Sequence, residues 1–188
     1  MGHMGKTFSQ FSAMSGIRHW SSMRSESRKK ACQRCAWEEQ VKEIAGRRMS
    51  VDQLLDFYAK LGPKRSPGEL RMTHFDPARS TTTDVVRHVV IPESRCGDTG
   101  KALAEVVQSS SRTYCLPTSS STVRMVTHHW ANRFRDLVAA VVADSLGLKR
   151  WDSIADELSS GREEALRSRL QGQGSLHWEY WICAFCIN

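Results

Sequence analysis

Two apolar stretches separated by a helical pattern decide the fold: Thr122-Val123-Arg124-Met125-Val126-Thr127 and Glu179-Tyr180-Trp181-Ile182-Cys183-Ala184-Phe185-Cys186-Ile187. The first predicts a short strand with Val123, Met125 and Thr127 on one face, and the second predicts a buried strand. Between them, residues 131–146 predict an amphipathic helix that Gly147 ends, with a stripe formed by Phe134, Leu137, Val138, Val141, Val142 and Leu146. This order predicts a βαβ unit with two parallel strands and a right-handed crossover.

A sheet of two parallel strands is not stable by itself, so this unit needs further strands. They come either from upstream or from a continuation beyond Asn188, and we expect the chain to be truncated within its domain. The predicted fold class is therefore α/β, with a partial parallel sheet preceded by a mainly helical N-terminal region.

The upstream sequence predicts helices separated by loops. One covers 27–45 and ends at Gly46, and a second starts at Ser50, where Gln53 completes a capping box. Further short helices are expected over 84–91 (capped by Thr82 or Thr83 and ended by Pro92), 101–108, 151–158 and 163–170. The predicted organisation is a disordered basic head over 1–25, a helical region with loops over 26–108, a Ser-rich linker over 109–121 and an α/β domain over 122–188.

Charge is concentrated at the N-terminus of this 188-residue chain. The formal net charge is +7, and the first 30 residues hold six basic residues and one acidic residue, a net charge of +5. A nucleic-acid-binding face over the whole domain is therefore poorly supported, because such a face needs clustered cations on a folded surface. No window of 18 apolar residues occurs, so we expect no membrane span. The expected location is cytoplasmic, with an organelle transit peptide as the alternative because the first 25 residues lack acids.

Four of the six cysteines fall in two C-x-x-C pairs, Cys32–Cys35 and Cys183–Cys186. Four thiolates could hold a structural zinc ion. The first pair, however, lies in a helical pattern, and the second lies in a strand pattern, where residues three apart point to opposite faces. The sequence therefore predicts buried free thiols rather than a metal site, and these four cysteines are the ligands that the zinc alternative would use.

The candidate ligand site lies at the carboxyl end of the predicted strands. Ligands of open α/β sheets bind at this edge, which here carries Thr127, His128, His129 and Trp130 after the first strand and Asn188 after the second. Their hydroxyl, imidazole and amide groups could bind a ribose or a phosphate, and Trp130 could stack on a base. In the structural alternative, these residues only stabilise the fold: one of the two histidines packs against its neighbours or caps a helix, and Trp130 fills the core between strand and helix.

The segments Val126-Thr127-His128-His129-Trp130 and Tyr180 to Asn188 resemble a TIR-like group of uncharacterised algal and protist proteins. In that group the first strand ends in Ser-His-x-Trp and the second reads Trp-Ile/Val-x-x-Phe-x-x-Asn-Gln. The second segment is also similar to the Trp-Ile-Asp-x-x-Cys-Ile-Asn-Gln signature of fungal heterokaryon-incompatibility (HET) domains. The chain departs from these patterns at Thr127, which replaces Ser, at Cys183, which replaces Asp, and after Asn188, where Gln is missing.

The resemblance implies a TIR/flavodoxin-like sheet and a signalling or protein-interaction module whose partners are other proteins, including copies of itself. In TIR enzymes that cleave NAD, the catalytic Glu lies on a later helix that this chain lacks, so we expect no autonomous catalysis and name no catalytic residue. No fixed cofactor is implied, with NAD or a related nucleotide as the alternative. Two other functions stay open: a fragment of a nucleotide- or NAD-cleaving hydrolase, and a thiol- or zinc-binding regulatory protein.

Overall fold

A computed structural model describes residues 32–62, 72–96, 99–110 and 123–187. The chain divides into two compact units, Met1–Glu43 and Ile44–Asn188. Residues 32–46 form helix α1, which confirms the described part of the helix predicted over 27–45. The predicted basic head and almost all of the predicted Ser-rich linker lie outside the described residues.

The second unit contains the sheet and the helices that pack on it. In chain order its elements are β1 (Met49–Ser50), α2 (Val51–Ala59), α3 (Thr82–Val85), a π-helical segment (Val86–Val90), α4 (Ile91–Glu93), β2 (Arg95–Cys96), β3 (Thr99–Gly100), α5 (Leu103–Ser110), β4 (Arg124–Val126), α6 (Phe134–Ser145), α7 (Asp152–Ser159), α8 (Glu163–Gly172), β5 (Glu179–Ile182) and α9 (Cys183–Cys186). In the described part of the chain, no helix is long and apolar enough to cross a membrane.

The main sheet has three strands in the order β1-β5-β4. Strands β4 and β5 are parallel, with Arg124 opposite Tyr180 and Val126 opposite Ile182, and α6, α7 and α8 lie between them in the chain. The predicted α/β class and parallel pair are therefore confirmed. The third strand comes from upstream, because β1 pairs antiparallel with β5 through Met49 and Tyr180.

The core joins elements from both ends of this unit. Every residue of the stripe predicted for the helix after β4 is buried, and Gly147, with φ +66°, follows the last turn of α6 as expected. The Phe134 ring lies 5.9 Å from that of Phe57 on α2 and 6.1 Å from that of Phe185 on α9, centroid to centroid. The capping box predicted for α2 is also present, since Ser50 and Gln53 exchange hydrogen bonds.

The predicted strand from Glu179 to Ile187 is wrong in its second half. The strand ends at Ile182, and Cys183–Cys186 form a helical turn in which the Ile187 N–H donates to the Cys183 carbonyl at 3.2 Å. Apolar composition alone does not distinguish a buried strand from a buried helical turn. Here the packing decides, because the turn brings Phe185 against Phe57 at 5.1 Å between ring centroids. Cys183 and Cys186 therefore lie on one helical turn and not on opposite faces of a strand.

The helix predicted over 84–91 is longer than expected at both ends. Its N-cap is Thr81, one residue before the predicted caps, and Thr81 forms a capping box with Asp84. Pro92 does not end the helix, which continues to Glu93. A proline ring crowds the preceding turn of a regular α-helix. The turn before Pro92 is instead the wider π-helical segment, in which the Ile91 N–H donates to the Val86 carbonyl.

The segment between β4 and α6 is held against the start of α3. The predicted helix start at Ala131 is wrong, since α6 begins at Phe134. Residues 130–133 form a turn instead, in which the Trp130 carbonyl accepts hydrogen bonds from the N–H and the hydroxyl of Thr83 at 3.0 and 3.1 Å. The Asn132 carbonyl accepts from the Thr82 N–H at 2.9 Å. These bonds fix the direction in which the chain leaves the carboxyl end of β4.

Candidate functional site

A cleft of about 720 Å³ lies at the carboxyl ends of β4 and β5. One wall is formed by the π-helical segment and α4, through Val90 and Ile91 among others, and the hairpin of β2 and β3 adds Arg95 and Thr99. Trp130 and residues of α9 also line the cleft. Most of the described lining side chains are apolar, so the cleft suits a ligand with a large apolar or aromatic part.

Cys183 and His128 meet beside this cleft because of the strand register. Val126 and Ile182 are paired at the ends of the two parallel strands, His128 follows two residues after Val126, and Cys183 follows directly after Ile182. The Cys183 Sγ lies 3.1 Å from the His128 Nε2, which is within hydrogen-bond distance for a sulfur atom. Cys183 also lines the cleft and is half-buried, so a molecule bound there lies against this residue.

Burial keeps both members of this pair uncharged at neutral pH. Burial raises the pKa of the Cys183 thiol above its usual value, and it lowers the pKa of His128, although backbone hydrogen bonds act in the opposite direction at both residues. The pair is therefore a thiol and a neutral imidazole, in which one group shares a proton with the other. The His128 Nδ1 is buried, and no side chain among the described residues forms a hydrogen bond with it. No side chain of the described region thus orients the ring as a third member of a catalytic triad.

Trp130 covers His128 on one side and faces the cleft on the other. The two rings are 5.0 Å apart between centroids and inclined at 66°, an edge-to-face arrangement. The Trp130 side chain is 45% exposed, so it does not fill the core as the structural alternative expected. Its position is fixed through its carbonyl by Thr83, which leaves the indole ring available to a ligand.

The other site residues predicted from the sequence take different positions. His129 is exposed, and its Nδ1 accepts a hydrogen bond from the Ala131 N–H at 3.3 Å, so it stabilises the local turn. Thr127 is exposed at the end of β4, and Asn188 lies outside the described residues. The predicted edge of the sheet therefore does carry a cleft, and of the predicted residues the structure brings His128 and Trp130 together beside it.

Sequence reasoning missed Cys183 as part of this cleft and missed Arg95, Ser94 and Thr99 altogether. Cys183 was interpreted as a buried free thiol or, in the alternative, as a metal ligand, because a continuous strand would have placed it and Cys186 on opposite faces. The available signal was a C-x-x-C pair that directly follows a strand in a βαβ pattern, which is typical of a redox dithiol. The hairpin residues gave no comparable signal, since they lie in a turn-rich stretch.

The second cysteine of the pair is anchored in the core. Cys186 is fully buried, and its Sγ donates to the Arg47 carbonyl at 3.4 Å. The Arg47 guanidinium in turn donates to the Cys186 carbonyl at 3.1 Å and forms an ion pair with Glu105. Burial raises the pKa of the Cys186 thiol to about 11, so this sulfur is protonated at neutral pH.

The described residues give the zinc alternative no support. Within them, no three His, Cys, Asp or Glu side chains come together as a metal ion would require. Cys32 and Cys35 are exposed on α1, which contradicts the expectation that they are buried, and Cys183 has His128 as its neighbour.

Comparisons with known proteins add no relative. No protein-family model matches the chain, and searches of curated proteins and of solved structures found no match. The likeness to TIR-like and HET domains therefore rests on the short motifs quoted above.

Proposed function

We propose that this chain is a TIR-like signalling module that binds a nucleotide-class ligand in the cleft at the carboxyl ends of β4 and β5. The observation that carries the proposal is the pairing of an exposed indole, Trp130, with a guanidinium, Arg95, on the walls of one large apolar cleft. A nucleotide presents the matching groups, an aromatic base and an anionic phosphate.

The base would stack on Trp130. Stacking of a base on an aromatic side chain contributes about 1–3 kcal/mol per base, and it needs no particular pattern of hydrogen bonds. Val90, Ile91 and Ile187 would cover the remaining apolar surface of the ring. A base stacked there would cover an indole that is 45% exposed.

The polar groups of the ligand would face the hairpin. Arg95 is exposed at the start of β2 and offers a planar guanidinium, which matches the oxygens of a phosphate. Ser94 and Thr99 also line the cleft; the Ser94 hydroxyl donates to the Ile91 carbonyl at 3.0 Å, so its oxygen could accept a hydrogen bond from a ribose. Among the residues that line the cleft, Arg95 supplies the positive charge that favours an anion.

Binding receives more support than cleavage. Hydrolysis of a glycosidic bond such as that of NAD generally uses a carboxylate at the reacting carbon. Among the described residues, none of the side chains that line the cleft is a carboxylate. The NAD-cleaving alternative and the expected protein partners both stay predictions.

A calorimetric titration of the full chain with ADP and, separately, with NAD tests this proposal. We expect saturable binding of at least one of them, which Trp130→Ala weakens about tenfold or more because the stacking platform is lost. Arg95→Ala should weaken ADP more than adenosine, since only ADP carries the phosphates. Trp151→Ala is the matched control, because Trp151 is a similarly exposed tryptophan that does not line the cleft.

Two results would overturn the proposal. One is the absence of binding heat with both nucleotides at millimolar concentration for a chain whose circular dichroism shows that it is folded. The other is equal weakening by Trp130→Ala and Trp151→Ala, which would mean that the ligand binds elsewhere.

A further inference from the structure

Cys183 and Cys186 have the spacing of a disulfide pair. In a helical turn, Cα atoms three residues apart are about 5 Å from one another, and their side chains share a face. Disulfides join Cα atoms roughly 4.4–6.8 Å apart, so the two sulfurs can bond without a large movement of the backbone. The pKa of Cys186 is raised mainly by burial, and Cys183 acts in the same direction.

The two sulfurs differ in access. Cys183 is half-buried and lines the cleft, whereas the exposed fraction of Cys186 is 0%. A small molecule that enters the cleft can therefore reach the first sulfur and not the second. This asymmetry separates an attacking thiol from a resolving thiol, as an ordered two-step exchange requires.

His128 supplies the proton acceptor for the first step. Its Nε2 lies 3.1 Å from the Cys183 Sγ, and a neutral imidazole can accept the thiol proton. Burial disfavours both the Cys183 thiolate and a protonated His128. The thiolate therefore forms only as the Cys183 sulfur attacks, and the His128 imidazole passes the thiol proton to the leaving group.

We infer that Cys183 and Cys186 are a redox-active dithiol that reduces a small disulfide bound in the cleft. Cys183 attacks one sulfur of the disulfide, its proton goes by way of His128 to the departing thiolate, and a mixed disulfide remains on Cys183. The Cys186 sulfur then attacks the Cys183 sulfur, loses its own proton and releases the second thiol. In sum the external disulfide gains two electrons and two protons, and the two cysteines lose them and form one S–S bond.

Oxidation would also change the cleft. The new bond takes the Cys183 sulfur away from His128 and takes the Cys186 sulfur away from the Arg47 carbonyl. Both contacts hold the wall formed by α9. The inference stands on the dithiol alone and does not need the nucleotide of the proposed function.

Peptide mapping of the full reduced chain after exposure to oxidised glutathione tests the inference. Trypsin cuts after Arg169, and residues 170–188 contain only Cys183 and Cys186. We expect this peptide to lose the mass of two hydrogen atoms. Cys32 and Cys35 have the same spacing and are exposed, but trypsin separates them at Arg34, so any bond between them appears as a linked pair of peptides. They report the rate for a dithiol on a simple helix surface.

Three variants separate the roles of the residues. Cys186→Ser should accumulate one glutathione on Cys183, because the resolving thiol is missing. Cys183→Ser should leave Cys186 unmodified in the folded chain, although urea should expose it. His128→Gln should slow the first step about tenfold while leaving the rate at Cys32 and Cys35 unchanged.

Three results would overturn the inference. The first is that both thiols in 170–188 stay free in the folded wild-type chain, although they react in the urea-unfolded chain. The others are a glutathione that stays on wild-type Cys183, and modification of Cys186 at the wild-type rate in Cys183→Ser. A chain that exchanges thiols without binding ADP or NAD would contradict the proposed function only. A chain that binds them without thiol exchange would contradict the dithiol only.

Discussion

Two buried tyrosines, Tyr180 on β5 and Tyr58 on α2, differ in how fully their hydroxyl hydrogen bonds are satisfied, and this difference has consequences for stability. The Tyr180 hydroxyl lies 2.6 Å from the Asp144 carboxylate and 2.8 Å from the Ser145 hydroxyl, and Arg124 donates to it at 3.3 Å. The Tyr58 hydroxyl is equally buried, yet it has no hydrogen-bond partner among the described residues. A buried polar group stabilises the fold only when its bonds are made.

The two tyrosines therefore predict opposite effects of the same substitution. Tyr180→Phe removes a bonded hydroxyl and should lower the free energy of unfolding by about 1–2 kcal/mol. Tyr58→Phe removes a desolvated hydroxyl and should leave it unchanged or raise it. Urea unfolding followed by circular dichroism measures both, and each variant serves as the control for the other. A larger loss in Tyr58→Phe than in Tyr180→Phe would mean that the hydroxyl of Tyr58 has a partner beyond the described residues.

The Cys186 thiol predicts a loss of stability in alkaline solution. Its pKa is raised from about 9 to about 11 by burial, with Cys183 acting in the same direction and Arg47 in the opposite one. Below pH 9 the thiol is protonated in both states, so its full contribution to stability is present. Between pH 9 and pH 11 the unfolded chain releases this proton and the folded chain keeps it, so the free energy of unfolding should fall by about 2–3 kcal/mol.

Unfolding of the reduced chain in urea from pH 8 to pH 11 measures this loss, relative to Cys186→Ala. The alanine variant is less stable at pH 8 because it leaves a cavity, but its decline over this range should be shallower. Cys32→Ala removes an exposed thiol and should decline as the wild type does. If Cys186→Ala declined as steeply as the wild type, other groups such as Tyr58 would account for the alkaline loss.

At the level of elements, local sequence patterns correctly predicted those helices and strands whose form does not depend on distant residues. The stripe of α6 and the capping box of α2 follow from local spacing, and the parallel pairing of β4 and β5 follows from the order of the elements; all three are present. The Cys183–Cys186 turn could not be predicted in this way, since the same apolar residues fit a strand. Its helical form depends on the distant ring of Phe57 against Phe185.

The candidate site also has parts that the sequence predicted and parts that it did not. The position of the site at the carboxyl end of the strands follows from a general rule of open α/β sheets, and His128 and Trp130 were predicted there. The hairpin that supplies Arg95 and the π-helical segment that forms a wall have no signature that the sequence alone reveals. The antiparallel strand β1 is only two residues long, too short for any periodicity to show.

At the scale of the whole unit Ile44–Asn188, α2 and the C-terminal βαβ unit share one core. Phe57 on α2 contacts both Phe134 and Phe185, and β1 covers the edge of β5 that is not paired with β4. The Arg167 guanidinium on α8 also forms ion pairs with Asp52 and Asp56 on α2. The third strand of the sheet therefore comes from residues far upstream, which is one of the two sources of further strands that the sequence predicted.

This shared core predicts that residues 111–188 do not fold alone. Such a shortened chain loses β1 and the buried side chains of α2, and burial of each large apolar side chain contributes about 1.5–3 kcal/mol. The shortened chain loses five such buried residues: Met49, Val51, Leu54, Leu55 and Phe57. Their combined contribution is comparable to the free energy of unfolding of a typical domain, which is about 5–15 kcal/mol. We expect no cooperative thermal transition by circular dichroism and no slowly exchanging amides in β5. Residues 44–188 are the matched control and should unfold in one transition with the midpoint of the full chain. A transition with the same midpoint in 111–188 would show that the βαβ unit folds alone.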